Sequence, residues 1–231
     1  MNILAIDLWG DLWGWFSDPA SWQGDDGVWH RLGEHALLTV TALLIAALIG
    51  LPISLWLGHL GKGGVLAINV TNVGRAIPVI ALLSLLSVGF VGSANLGPFG
   101  RAGLATLLTL TAFALPPIVT NTYTAMRGVD PDLVEAARGM GMSGRQVLVG
   151  VELPAALPVI VSGIRLAVVQ VWATATIAAL VAGPGMGRII VHGYDSQDGA
   201  EVIGASIIVA FIALLLDLSM SVLQRAVGKP G

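Results

Sequence analysis

Four stretches of this sequence run for 22 to 25 residues without a charged side chain: 36–57, 76–100, 102–126 and 166–187. A helix of about 20 apolar residues crosses the hydrocarbon of a bilayer, so each stretch is long enough to span one. A fifth, 202–216, has 15 residues before Asp217, and apolar character resumes through Leu223. It reads as a span with one intramembrane acid. The expected spans are near 36–58, 65–91, 102–126, 158–182 and 202–224. A water-soluble core cut into buried helices would need polar helical faces elsewhere, and the sequence has none. Charged residues are 11% of the chain, against roughly 25% in a soluble domain. Hydrophobic residues are 55% and the mean hydropathy is +0.85. Disorder, collagen-like repeats and an ordinary soluble enzyme are thereby excluded. With no cysteine in the chain, disulfides and thiolate metal sites are excluded as well.

Pro52, Pro78 and the pair Pro116-Pro117 interrupt the expected spans. Backbone groups that they free inside hydrocarbon must be satisfied by neighbouring helices, which implies a packed bundle. Gly50, Ser54 and Gly58, spaced by four, would admit a close helix, although small residues are common in membrane helices in any case. Residues 1–35 carry six acids against Arg31 alone. If the spans alternate, Lys62, Arg127, Arg138, Arg145, Arg225 and Lys229 share one side, and Arg31, Arg101 and Arg188 the other. The positive-inside bias then puts the N-terminus outside, and the C-terminus and loop 127–157 in the cytoplasm. This divides the chain into an external segment 1–35 and a membrane domain 36–226.

Nothing basic precedes the first apolar stretch and acids occur at once, so no signal peptide is expected. On a helical wheel Asp7, Asp11 and Asp18 share a face opposite Trp9, Leu12, Trp13 and Phe16. Such a segment suits the outer membrane interface, where tryptophan is favoured. A tryptophan cage for a cation is the alternative, and Gly10 and Gly14 weaken the helix.

Loop 127–157 reads as two short helices. Asp130 can cap the first, with Pro131 at its first position and Asp132 in its first turn. Gly139 and Gly141 end it. Ser143 with Gln146 three residues later has the form of a capping box for the second, which is expected to stop before Pro154. A compact helical pair with an Ala136-Ala137 step suits insertion into another protein.

Glu135-Ala136-Ala137, Gly141, Val151, Leu153 and Pro154 resemble the EAA signature, EAA-x3-G-x9-I-x-LP, of membrane subunits of binding-protein-dependent ABC importers. Val151 stands where isoleucine is usual. Asn121-Thr122-Tyr123-Thr124, Gly128-Val129-Asp130-Pro131, the run 135–142, Glu152-Leu153-Pro154, Arg75-Ala76-Ile77-Pro78 and Thr174-Ala175-Thr176 are similar to permeases for quaternary-ammonium osmoprotectants: glycine betaine, choline and carnitine. The resemblance covers about residues 32–225; residues 1–30 are richer in tryptophan and acids than that family.

The resemblance implies an all-α polytopic membrane protein with five transmembrane helices and a type-I ABC importer permease fold. It implies two permease subunits, identical or homologous, a dimer of cytoplasmic ABC ATPase subunits and an extracytoplasmic substrate-binding protein. ATP and Mg2+ would be bound by the ATPase, leaving this chain without a cofactor. Glu135, Ala136, Ala137, Gly141, Val151, Leu153 and Pro154 would form the coupling contact. Pairing of Glu135 with Arg138 or Arg145 is the alternative use of that acid.

The residues agree with a subunit that is neither motor nor enzyme. Gly61-Lys62-Gly63 lacks the spacing and the Ser/Thr of a phosphate loop, and the 183–187 glycine run follows a membrane helix, where a tight turn is the simpler reading. The histidines are scattered; His30 and His35 could share a metal, but two ligands without a third read as solvent-exposed polar residues. Nothing points to nucleic acid or to a catalytic group. Arg165 and Asp217 fall about 10–12 Å inside the cytoplasmic boundary, counting 1.5 Å per helical residue. Intramembrane charges need partners. Arg165 is therefore expected to pair with Asp217, with Arg75 as the rival, as a structural staple or as a gate. Asn69, Asn72 and Gln170 are further candidates for the solute path. An ABC permease for another solute, such as an amino acid, and a scaffold or channel without an ATPase remain as alternatives.

Overall fold

The structure of the protein, a computed structural model, describes residues 8–64, 68–69, 76–100 and 102–228. Among these, the regular elements are helices: α1 (Leu8–Ser17), α2 (Pro19–Trp22), α3 (Val28–Leu60), α4 (Val79–Ser87), α5 (Phe90–Ser93), α6 (Gly103–Arg127), α7 (Pro131–Gly139), α8 (Gly144–Val147), α9 (Leu153–Ala175), α10 (Gly187–Asp195) and α11 (Gly199–Val227). Short 3-10 turns cover Gly97–Phe99 and Thr176–Val181. Four helical runs are long and apolar enough to cross a bilayer: α3, α6, the continuous run Gly144–Val181 and α11. The chain is thus an all-α multi-pass membrane protein. The count of five is approximate, because 65–67 and 70–75 of the second expected span, Arg75 and Asn72 included, lie outside the described residues. The described end of that span is α4, nine residues long, which stops ahead of Gly89 at a positive φ of 85°.

The second loop helix does not stop before Pro154. It runs from Gly144 through a π-helical turn, Leu148–Glu152, into α9. The Leu153 N–H bonds back to the Leu148 carbonyl, five residues earlier. That wider turn leaves room for the Pro154 ring, which in a regular helix would meet the carbonyl four residues before it.

Contacts divide the chain into two compact units. The first comprises Met1–Ala42, Val79–Leu110 and Val171–Leu215. Here His35 is fully buried, not solvent-exposed as expected, because α3 begins at Val28 and carries the ring inward. Its Nε2 lies 2.9 Å from the Trp172 carbonyl and its ring stands edge-on to the indole at 4.5 Å. Trp172 in turn donates to the Val209 carbonyl at 3.0 Å. One turn earlier, Arg31 pairs with Asp26 and Glu34, and Glu34 accepts the Gly185 N–H at 3.0 Å. Gly185 has φ +108°, and a Cβ there would sit 2.9 Å from His35 Nδ1. Both facts require glycine, so the 183–187 run is a tight turn pressed on α3.

In the same unit Leu12 is buried, and Trp15 lies over Gly204, where no Cβ would fit. Trp15, Phe16, Trp22 and Trp29 form a chain of ring contacts, tied by Trp22 Nε1 donating to the Phe16 carbonyl at 2.9 Å. Trp9 and Trp13 point outward instead. The expected apolar face of α1 is therefore split between protein-facing and outward-facing rings.

His192 on α10 meets Glu201 at 2.9 Å. The hydrogen bond and charge of Glu201 hold the imidazole above its ordinary 6.5. The pair's contribution is in place below that ordinary value and fades as pH rises through the raised one. His192 is three-quarters exposed, so solvent screening keeps the effect on stability small. An NMR titration is expected to place the His192 midpoint above 6.5 and to return it toward 6.5 in Glu201→Gln; an unshifted midpoint would show that the pair does not form.

The second unit comprises Leu43–Pro78, Thr111–Gln170 and Leu216–Gly231. One cluster of its core is Ala125, Met126, Ala156 and Ile160, packed by Leu51, Leu55, Val129, Leu148, Leu153 and Ile164. The Gly50–Ser54–Gly58 row faces α6. A Cβ on Gly50 would lie 3.3 Å from Leu115, Ile118 and Val119, and one on Gly58 2.5 Å from Met126 Cβ. From the other side Gly163 abuts Asn121, again with no room for a side chain. These contacts bring α3 and α9 close to α6. Accordingly 67% of the α6 apolar window is buried, against 17–33% in the other three runs.

Candidate functional site

Loop 127–157 lies within the second unit. The Asp130 carboxylate accepts the Asp132 N–H at 3.0 Å and Pro131 occupies the first turn, so α7 starts where its caps dictate. It ends in the reverse order: Met140 N–H bonds to the Ala136 carbonyl, Gly141 N–H to Arg138 at 2.9 Å and Met142 N–H to Ala137 at 3.2 Å. Gly141 carries the closing turn at φ +82°, a conformation that disfavours side chains. Ser143 N–H then donates to Gln146 Oε1 at 2.8 Å, completing the capping box of α8.

The two alanines of the signature face different ways. Ala137 is buried, while Glu135, Ala136 and Gly141 are exposed. Glu135 is in none of the ion pairs of the described residues, Arg138 and Arg145 included. Beside Ala136 stand Leu133, 48% exposed, and Met140, 77% exposed. Positions 133, 136 and 140, the last in the C-cap, follow the i, i+3, i+7 spacing of one helical face, so α7 and its cap present an apolar ridge that the described residues leave exposed. Leu133 reads from the sequence as a packing residue and Met140 only as part of the run 135–142; that the two flank Ala136 on one exposed face was not read, although their spacing shows it. Farther along, Val151 and Leu153 are half-buried and Pro154 is exposed. Leu153 packs on the Ala125–Met126–Ala156–Ile160 core.

Where the loop returns to the bundle, His59 Nδ1 lies 2.5 Å from Glu152 Oε2. Sequence alone gave His59 no role.

The membrane charges form a bidentate pair. Arg165 Nε donates to Asp217 Oδ1 and Nη2 to Oδ2, both at 2.7 Å, and Nη1 approaches Gln224 Oε1 at 3.4 Å. About a third of each side chain is exposed. Asn121, Ser162, Leu166 and Val169 complete a recess of about 310 Å3 beside the pair. The rival partner Arg75 and Asn72 lie outside the described residues; Asn69 is exposed and Gln170 half-buried.

Comparison with known proteins agrees with this architecture. Residues 46–229 match the family model for the binding-protein-dependent transport system inner membrane component. The chain is 29% identical over 202 residues to the glycine betaine/carnitine/choline transport system permease protein OpuCB of Bacillus subtilis, covering 87% of this chain and 89% of that one. It is 34% identical over 205 residues to the choline transport system permease protein OpuBD of the same organism, covering 88% and 87%. The carnitine transport permease protein OpuCB of Listeria monocytogenes is 31% identical over 191 residues, covering 83% and 84%. Among solved structures, an inward-facing form of the MetNI methionine ABC transporter superposes with a TM-score of 0.74 at 23% identity, covering 92% of this chain and 100% of that one. That similarity bears on the fold. Together with the family match and the helical bundle, it leads to one assignment: this chain belongs to the binding-protein-dependent transport system inner membrane components, the permease subunits of ABC importers.

Proposed function

We propose that this permease passes quaternary-ammonium osmoprotectants, of the glycine betaine, choline and carnitine type, across the cytoplasmic membrane. A separate ATPase, seated on loop 127–157, drives the movement. The observation that carries the coupling is the outward ridge Leu133–Ala136–Met140 on α7. Exposed apolar side chains at helical spacing on a capped, rigid helix are the form in which a helix enters a groove of another protein. Glu135 beside the ridge offers a charge to the rim of such a groove, and Gly141 sets the turn that lets α7 project. The relatives' names support the solute class.

In this reading the N-terminus is outside, the C-terminus and loop 127–157 are cytoplasmic, and an extracytoplasmic binding protein delivers the solute. Two permeases, identical or homologous, enclose the path, and a dimer of ATPases binds ATP and Mg2+ below them. Motion of the ATPase pair passes from α7 to α8, and the continuous run of α8 into α9 gives the push a direct route into the bundle. The outward rings of Trp9 and Trp13 suit the lipid interface. Uptake of radiolabelled glycine betaine tests the reading. A strain lacking this chain and any second betaine importer is expected to lose uptake and to regain it on complementation; undiminished uptake would overturn the solute assignment.

A further inference from the structure

His59 is in the last turn of α3, and Glu152 is the last residue of the π-helical turn that joins α8 to α9. Their side chains are 13% and 7% exposed and meet at 2.5 Å across 93 residues of sequence. With a carboxylate as acceptor, the Nδ1–H donates. The other ring nitrogen faces α8, where a Cβ on Gly144 would lie 3.6 Å from His59 Nε2. One imidazole therefore bonds to the far end of the segment Gly144–Glu152 and stands beside its near end, at the root on which the outward-facing α7 stands.

We propose that His59 and Glu152 are a positioning pair that clamps the root of loop 127–157 to α3. A π-helical turn interrupts the regular ladder, and such places are where helices bend. Left free, the turn would absorb a displacement arriving at α7 and α8. Clamped by a short charge-assisted hydrogen bond, it passes that displacement to α3 and α9 together. The clamp stays closed as the loop moves, because opening would leave a buried carboxylate without its partner. The proposal rests on the reading that loop 127–157 carries an ATPase. It adds a residue from α3, outside the signature, to the coupling path.

The test uses the full importer, reconstituted in proteoliposomes with its ATPase and binding protein, and reads glycine betaine moved per ATP hydrolysed. His59→Phe keeps a ring in the site without the donor, and Glu152→Leu removes the acceptor. Each is expected to retain the ATPase through purification and to lower the transport ratio about tenfold, within the range of coupling mutations. Glu152→Gln, which keeps an acceptor oxygen, is expected to hold the ratio within about twofold. The double variant is expected to be no worse than the poorer single one, since both remove the same link. An unchanged ratio in folded His59→Phe and Glu152→Leu, or a Glu152→Gln as poor as Glu152→Leu, overturns the clamp while leaving the proposed function standing. Absence of any ATPase on the unaltered chain overturns both.

Discussion

Placing a carboxylate on the outward ridge of α7, as Met140→Asp or Ala136→Glu, is expected to abolish coupled uptake while the chain still folds and reaches the membrane. The two halves of that expectation come from different environments of the same side chain. In the chain alone Met140 is 77% exposed, and exposed substitutions change stability by only about 0.5 kcal/mol. Seated in a groove of the ATPase, the same position would hold an unpaired charge out of water, at a cost of about 2–5 kcal/mol. At about 1.4 kcal/mol per tenfold, that removes most of the complex. Co-purification of the ATPase and betaine uptake are the paired measurements. Met140→Leu, which keeps the apolar face, is the control and should retain both. Ala137→Asp is not a substitute for these variants, since Ala137 is buried in the chain itself and its replacement would act through folding. A Met140→Asp chain that holds its ATPase and transports normally would move the coupling contact away from α7.

How much of this was legible in the sequence follows from the range over which each signal acts. Hydropathy summed over some 20 residues locates a membrane helix well, so 102–126 was expected and Gly103–Arg127 is found. Caps act within four residues, so Asp130-Pro131 and Ser143–Gln146 set the starts of α7 and α8 correctly. Signals that depend on a distant partner were not legible. Pro154 reads as a stop until a π-helical turn admits it, and His59, which meets that turn, is 93 residues away from Glu152. His35 reads as exposed until Trp172 covers it. The faces of α1 were divided by Gly204, whose missing side chain is the seat for Trp15 and leaves Trp9 and Trp13 outside. The split between Ala136 and Ala137 was within reach, because neighbours on a helix diverge by about 100°; the alanine pair was instead read as one contact.

Removing Arg165 is expected to be the most damaging single change within the membrane, and the pattern of rescue tells a staple from a gate. Arg165 satisfies both Asp217 oxygens at 2.7 Å. Arg165→Leu therefore leaves an acid at membrane depth with no cation, and both the amount of inserted chain and uptake should fall about tenfold or more. Arg165→Lys keeps the charge but not the planar fork that makes two parallel bonds, so a partial loss is expected. If the pair is a staple between α9 and α11, its net contribution is the difference between a closed pair and none. Replacing both partners by leucine should then restore the inserted chain and uptake together, because an apolar contact substitutes for an ion pair at membrane depth. If the exposed third of the guanidinium instead meets the solute in the recess beside Asn121 and Ser162, the double leucine variant should insert normally and still fail to transport. We expect the first outcome, since Nε and Nη2 are spent on Asp217 and Nη1 is turned toward Gln224, which leaves the fork directed at α11. A double leucine variant that inserts fully and moves no betaine would reassign the pair to the solute path.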